Sequence, residues 1–209
     1  MSALTRRSFV GLAAVCAVGV GVGGLGTAFA QGNELLRPPG GQDEQVLRAA
    51  CLKCDRCRSV CPTNAISLAS LEDGLVSART PKLDFHKGYC DFCDKCIQVC
   101  PTGALGSFDQ ATEKLGVAVV QKDRCLSYFQ GCNACENSCA FEALTFEQGH
   151  PVVDGQRCNG CGQCEFECTA LVYGTFAGGT RRGIVVLPPQ AAAALGRTLV
   201  ENESEMGVV

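Results

Sequence analysis

The alternation of apolar and polar positions predicts short elements and one long apolar run. From Phe9 to Ala30 no charged residue occurs, and six glycines dilute the run. Leu35-Leu36-Arg37-Pro38-Pro39-Gly40-Gly41, within residues 33–41, reads as extended chain, because a residue before proline is biased away from helix. Gln42–Ala50 fits a short helix, with Asp43 as its N-cap and Val46 and Leu47 as its apolar side. Pro81–Phe85 is a weak strand and Gly116–Val120 a firmer one. Leu144–Phe146 and Pro151–Asp154 flank Glu147-Gln148-Gly149-His150 as the two arms and loop of a hairpin. Ile184–Leu187 forms a further strand that could cover an edge of the core. Pro188-Pro189 and a helix through Ala191 to Val200 follow, and residues 201–209 make a polar end.

Between these elements lie the cysteines, and their spacing repeats. Sixteen of the seventeen fall into four quartets. These are Cys51, Cys54, Cys57, Cys61; Cys90, Cys93, Cys96, Cys100; Cys125, Cys132, Cys135, Cys139; and Cys158, Cys161, Cys164, Cys168. The first two, closed by Pro62 and Pro101, read C-x2-C-x2-C-x3-C-P, the thiolate pattern of a bacterial iron–sulfur site whose fourth cysteine serves the neighbouring cluster. The third carries Leu126–Gly131 as an insertion after its first cysteine and has Ala140 where proline is expected; the fourth has Thr169 there. An apolar residue recurs five places beyond each fourth cysteine, at Ile66, Leu105, Leu144 and Tyr173. Such self-similarity marks an array of small units that bury their faces against one another.

Four thiolates must surround each cluster, and the C-x2-C-x2-C loop supplies three. The third and fourth cysteines of a quartet stand at i and i+4, which on a helical turn places both on one face about 5–6 Å apart, so one can serve its own cluster and the other the next. The gaps between quartets are 28, 24 and 18 residues, and the shortest holds the hairpin. This favours tandem pairing: Cys51, Cys54, Cys57 with Cys100; Cys90, Cys93, Cys96 with Cys61; Cys125, Cys132, Cys135 with Cys168; Cys158, Cys161, Cys164 with Cys139. A nested arrangement, first with fourth and second with third, is the alternative. The expected fold is α+β: tandem ferredoxin-like units for two [4Fe–4S] clusters each, with short hairpins and short helices around them. Residues 1–30 are then a signal segment, 31–50 an N-terminal extension, 51–110 and 111–176 the two units, and 177–209 a C-terminal tail.

Composition agrees with folding around metal. Aromatics make up 6% of the chain and Trp is absent, while Gly numbers 25 and Cys 17, so the apolar core is modest and metal ligation must supply folding energy. Zinc also takes C-x2-C pairs, but a structural zinc site closes with two of them and has no use for a third cysteine at the same spacing. Disulfides suit an exported chain rich in cysteine, yet would not require quartets of near-constant spacing. Either would make the chain an exported scaffold.

The remaining features concern address and partners. Arg6-Arg7 precedes the apolar run, and Ala28-Phe29-Ala30 ends it as a small-x-small cleavage site, together a twin-arginine export signal cut before Gln31. Left uncut, the run is long enough to anchor the chain in a membrane. Cys16 lies within it as an apolar residue. Residues 1–30 hold two arginines and no acid, so cleavage changes 18 basic and 21 acidic residues to 16 and 21, a net charge of −5. The pI near 5.4 excludes the basic stripe of a nucleic-acid binder. No dinucleotide or phosphate-binding glycine loop is present. His86 and His150 fall in connections and read as surface residues rather than catalytic bases, and Arg181-Arg182 reads as a solvated turn. An electron-transfer protein without its own substrate site is therefore expected, either as an exchangeable carrier or as the permanent iron–sulfur subunit of a larger molybdenum-containing oxidoreductase.

The twin-arginine signal, Arg37-Pro38-Pro39-Gly40 before the first quartet and the four-quartet order together resemble the ferredoxin-type proteins of periplasmic nitrate reduction and methylamine utilisation, the NapG/MauM type. The likeness extends through Leu187. It implies four [4Fe–4S] clusters on the sixteen quartet cysteines and a location in the periplasm or on the outer face of the cytoplasmic membrane. It also implies a membrane-bound quinol dehydrogenase-type partner and onward transfer to a terminal periplasmic oxidoreductase or its cytochrome.

Overall fold

A computed structural model of the chain describes residues 34–170 and 182–195. The expected signal segment with Cys16, Tyr173, Arg181 and the end of the expected C-terminal helix lie outside them. Glu34–Leu68 together with the chain from Arg79 onward makes up one compact unit. Ala69–Ala78 is grouped apart from it and is closed on itself, the Ser70 N–H and hydroxyl donating to the Asp73 carboxylate at 2.7 and 3.1 Å.

The first helix, α1, spans Glu44–Ala50. Asp43 caps it as expected, its carboxylate accepting from the N–H groups of Gln45 and Val46 at 3.0 and 3.1 Å. Leu47 is fully buried, but Val46, expected beside it on the apolar side, points outward at 51% exposure. A seven-residue helix presents only about one inward stripe, and Val46 lies roughly 100° from Leu47 around the axis.

Among the described residues six strands pair into three two-stranded antiparallel sheets. β1 (Ile66–Leu68) follows the first quartet and pairs with β2 (Pro81–Leu83) before the second, with Ile66 opposite Leu83. β4 (Leu144–Glu147) and β5 (His150–Val153) form the corresponding pair between the third and fourth quartets. Their turn is tighter than the four-residue loop expected: Gln148 and Gly149 alone connect the strands, at φ 51° and 83°, the two left-handed residues that match strand twist in a two-residue hairpin. β3 (Val117–Val120) leads into the third quartet and pairs with β6 (Ile184–Leu187), Val120 opposite Ile184, so the C-terminal strand does cover an edge. A helical segment over 189–195 follows.

In the first half the extended segment does what β3 and β6 do in the second. The Leu36 carbonyl accepts the N–H of Leu83 and the Gly40 carbonyl that of Gly106, both at 2.8 Å. Gly40 has φ 76°, and a Cβ there would stand 2.0 Å from the Gly106 oxygen, so no side chain fits. Arg37 is buried at 3% exposure; its Nε donates to Glu44 Oε2 at 2.7 Å, and its Nη1 to Thr80 Oγ1 and the Pro81 carbonyl at 3.0 and 2.6 Å. The recurring apolar residues Ile66, Leu105 and Leu144 all enter the core, which joins Leu47, Phe85, Leu115, Ile184 and Val186 to Cys96 and Cys135. Apolar side chains and quartet cysteines therefore share one interior.

Candidate metal centres

Three of the four cysteine loops follow one backbone course. The residues before and after the second cysteine take left-handed φ in each: Lys53 56° and Asp55 66°, Phe92 54° and Asp94 56°, Gly160 78° and Gly162 81°. Alternating left-handed residues turn successive N–H groups toward one side, making the concavity that receives anions and iron–sulfur clusters. Four of the six are not glycine, a conformation costing about 1–2 kcal/mol per residue, which persists only where the surroundings demand it. A one-turn helix follows each loop: α2 (Arg56–Ser59), α3 (Lys95–Gln98) and α5 (Gln163–Phe166), with Cys57, Cys96 and Cys164 as second residue. These helices end before the fourth cysteine, so the expected i and i+4 pair does not lie within one helix; the Cys61 N–H bonds to Arg58 at 3.2 Å and Pro62 follows.

The chain leaves the first three quartets in a shared way as well. Asn64, Gly103 and Glu142, three residues beyond a fourth cysteine, have φ 57°, 65° and 50°, and their N–H groups return to that cysteine's carbonyl at 3.3, 3.5 and 3.3 Å. The third quartet departs from this scheme at its start. Its insertion forms α4 (Ser127–Gln130), ended by Gly131 at φ 70°, and Tyr128 stacks on His150 with ring centres 4.1 Å apart. His150, expected at the surface, is thus half-buried under a ring.

Cys51, Cys54, Cys57 and Cys100 line one small cavity, and Cys61, Cys90, Cys93 and Cys96 line a second. In the other half Cys125, Cys168 and Cys132 each bear on the ionisation of Cys135, and Cys139 and Cys158 on that of Cys161. The Thr169 hydroxyl stands 3.5 Å from Cys132 Sγ, tying the start of the third quartet to the end of the fourth. Among the described residues no three Cys, His, Asp or Glu side chains close on a point as they would around a single ion. In the first half the thiols line the two cavities instead. None of the sixteen forms a disulfide.

Ionisation in this interior is costly. Burial, helped by the charges of neighbouring cysteines, pushes the thiols of Cys57 up to about 11 and of Cys90, Cys96 and Cys135 to about 12. Cys164 is raised for the same reason. Since the ligand is the thiolate, the iron of a cluster must supply the positive charge that the protein does not. Cys100 goes the other way: burial raises it, but the N–H of Leu105, the hydroxyl and N–H of Thr102 and the N–H of Ala104 together outweigh this. Other sulfurs receive single donors, Cys51 from Lys53 N at 3.4 Å, Cys158 from Ala118 N at 3.4 Å, Cys139 from Ala143 N at 3.3 Å and Cys168 from Gly183 N at 3.3 Å. Such bonds to sulfur help set a cluster's potential.

Two supporting residues escape sequence reading. Arg182, expected in a solvated turn, is 8% exposed, and its Nη1 donates to the carbonyls of Glu165, Phe166 and Cys168 at the end of the fourth quartet. Glu165, next to Cys164, is buried and accepts the N–H of Val186 in β6 at 2.7 Å. Burial raises its pKa to about 7, against the pull of the Val186 N–H and Arg182. An arginine pair in a glycine-flanked turn carries no local signal that three backbone carbonyls await its second member.

Comparison with known proteins agrees with these loops. The 4Fe-4S dicluster domain family matches residues 50–104, the span of the first two quartets. Cysteine loops of this geometry and that match define a [4Fe–4S] ferredoxin-type electron-transfer protein. The chain is 38% identical over 176 residues to the ferredoxin-type protein NapG of Escherichia coli (strain K12), covering 74% of each chain. It is 33% identical over 190 residues to NapG of Haemophilus influenzae, 78% of this chain and 67% of that one. To the methylamine utilization ferredoxin-type protein MauM of Methylophilus methylotrophus it is 34% identical over 156 residues, 66% of this chain and 68% of the relative. It belongs to the NapG/MauM family of ferredoxin-type proteins.

Proposed function

We propose that this protein relays single electrons through four [4Fe–4S] clusters outside the cytoplasm, from a membrane-bound quinol-oxidising partner toward a terminal oxidoreductase or its cytochrome. When bound, each cluster supplies one reversible electron-accepting centre. The chain's own residues hold and insulate these centres. Cys51, Cys54, Cys57 and Cys100 would hold the first, Cys90, Cys93, Cys96 and Cys61 the second, Cys125, Cys132, Cys135 and Cys168 the third, and Cys158, Cys161, Cys164 and Cys139 the fourth. Residues 51–110 and 111–176 would be the two ferredoxin-like units, and residues 1–30 the twin-arginine signal.

The observation that carries this reading is the convergence of three thiols from one quartet and the last thiol of its neighbour on one cavity, seen around both cavities of the first half. Left-handed residues around the second cysteine aim backbone N–H groups into the loops, and buried neutral thiols become ligands only against iron. The test is electron uptake. Anaerobically purified protein mixed with washed membranes holding the quinol-oxidising partner and a reduced quinol should lose its absorbance near about 400 nm, as it does with dithionite. Bleaching by dithionite but not by quinol and membranes would contradict the assigned donor, and a protein purifying only with a large molybdenum subunit would make it a permanent part of that enzyme.

A further inference from the structure

The four centres fall into two halves, and how an electron crosses between the halves does not follow from the pairing within each. Several contacts between the halves gather at the second cysteine loop and meet the fourth loop or the chain just after Cys139. The Cys90 N–H donates to the Cys161 carbonyl at 2.8 Å, a backbone bond from one cysteine loop directly to another. Phe85, five residues before Cys90, lies flat against the fourth loop: a Cβ at Gly162 would stand 2.2 Å from its ring. Tyr89 packs on Phe166 at 5.9 Å, and Phe92, inside the second loop, meets the edge of Phe141, two residues beyond Cys139, at 5.8 Å.

We propose that Cys90–Cys161, flanked by Phe92–Phe141 and Phe85–Gly162, is the crossing point of the relay, so that the order of centres is first, second, fourth, third. This rests on the four-cluster reading and its pairing. Within the first half the neighbouring helices α2 and α3, which hold Cys57 and Cys96, pack together and join the first centre to the second. Within the second half the β4–β5 hairpin, closed by the Asp154 N–H donating to the Ala143 carbonyl at 2.8 Å, joins the third quartet to the fourth. At each hop one centre is oxidised as its neighbour is reduced, with no bond made or broken. The quinol-oxidising partner gives the electron at one end and the terminal oxidoreductase takes it at the other. The ends are the first quartet, where Cys54 is exposed, and the third, so the order of chain and the order of transfer differ.

The test is magnetic, on the full-length loaded protein. One variant, Cys51→Ala, Cys54→Ala, Cys125→Ala and Cys132→Ala, removes the outer centres; a second, Cys90→Ala, Cys93→Ala, Cys158→Ala and Cys161→Ala, removes the inner ones. Each should keep about eight irons, half the full complement. After full reduction the first should show an EPR spectrum broadened or split by spin coupling, and the second a sum of two unsplit signals. The reverse, or coupling in neither, overturns the order. Iron retention well below eight in both, with the unsubstituted chain holding about eight rather than about sixteen, would instead overturn the four-cluster reading itself. Should a variant fail to fold, amide exchange on the unsubstituted loaded protein still decides: the Cys90 N–H should exchange at least about a hundredfold more slowly than the N–H of exposed Glu72, and equal rates overturn the crossing point.

Discussion

Replacing Arg37 by Ala is predicted to weaken the first half more than its place in an N-terminal extension suggests. The guanidinium is 3% exposed and forks onto the Glu44 carboxylate while reaching Thr80 Oγ1 and the Pro81 carbonyl, so it ties the extension to α1 and to β2 together. Removing one partner of a buried ion pair costs about 3–5 kcal/mol. Glu44 is 32% exposed and keeps Arg48 at 2.6 Å, so water and that arginine recover much of the pair. Adding about 1 kcal/mol for each of the bonds to Thr80 and Pro81 gives a net loss of about 3 kcal/mol. For a chain of this size that lowers a melting midpoint by about 6–12 °C. The assay is anaerobic melting of loaded protein, followed by far-UV circular dichroism at one scan rate, with iron content measured beforehand. Arg37→Lys, which keeps charge but not the fork, should fall between the two. A midpoint for Arg37→Ala within 2 °C of the parent, at equal iron content, would refute the clamp.

Other outcomes follow from the same geometry. Gly40→Ala should lower the midpoint through both its φ of 76° and the 2.0 Å approach to the Gly106 oxygen, by about 1–3 kcal/mol; an unchanged melt would contradict that packing. Cys100→Ser should lower iron by about four per chain and remove the signal of the centre on Cys51, Cys54 and Cys57, sparing the one on Cys90, Cys93 and Cys96; loss of the latter alone would reverse the pairing. Glu44 is held below its ordinary value of 4.5: burial raises it, but Arg37 and then Arg48 outweigh burial. Its folded value therefore lies below the unfolded one, so its stabilisation is present above about pH 4.5 and lost as pH falls through the folded value. Loaded protein should accordingly lose more stability than its Glu44→Gln variant between about pH 5 and 3, and parallel curves would count against the linkage. Stripping iron with a strong chelator under reducing conditions should expand the chain and lift hydrogen-exchange protection from α2, α3 and α5, because thiols at about 11 to 12 give no cohesion of their own. A chelated chain keeping its protection would show that the apolar core alone suffices.

What could be read in advance was whatever has a local signature. Asp43 caps α1 because a short acceptor before a helical run satisfies free N–H groups wherever it occurs. Ile66, Leu105 and Leu144 are buried because the turn after the fourth cysteine of the first three quartets delivers that position inward. Three-residue β1 and the union of β3 with β6 were not foreseeable in the same way. β1 is too short to alternate, and β3 finds its partner some sixty residues on, through pairing that only the assembled fold decides. Arg182 looked solvated because arginine usually is, whereas here its acceptors are backbone carbonyls that no side-chain pattern announces. Lys53, Asp55, Phe92 and Asp94 carry left-handed φ without being glycine, so the loop geometry lies in cysteine spacing rather than in turn-forming residues. Only the fourth loop marks the same positions with Gly160 and Gly162.

The central claim is that all four quartets hold [4Fe–4S] clusters, including the third with its inserted α4. Iron and acid-labile sulfide, counted per chain after anaerobic purification of the full-length protein, test it directly. The expected result is about sixteen of each and a brown protein that bleaches on reduction. About twelve of each would leave the third quartet without its cluster, and a colourless protein holding zinc would contradict the account altogether.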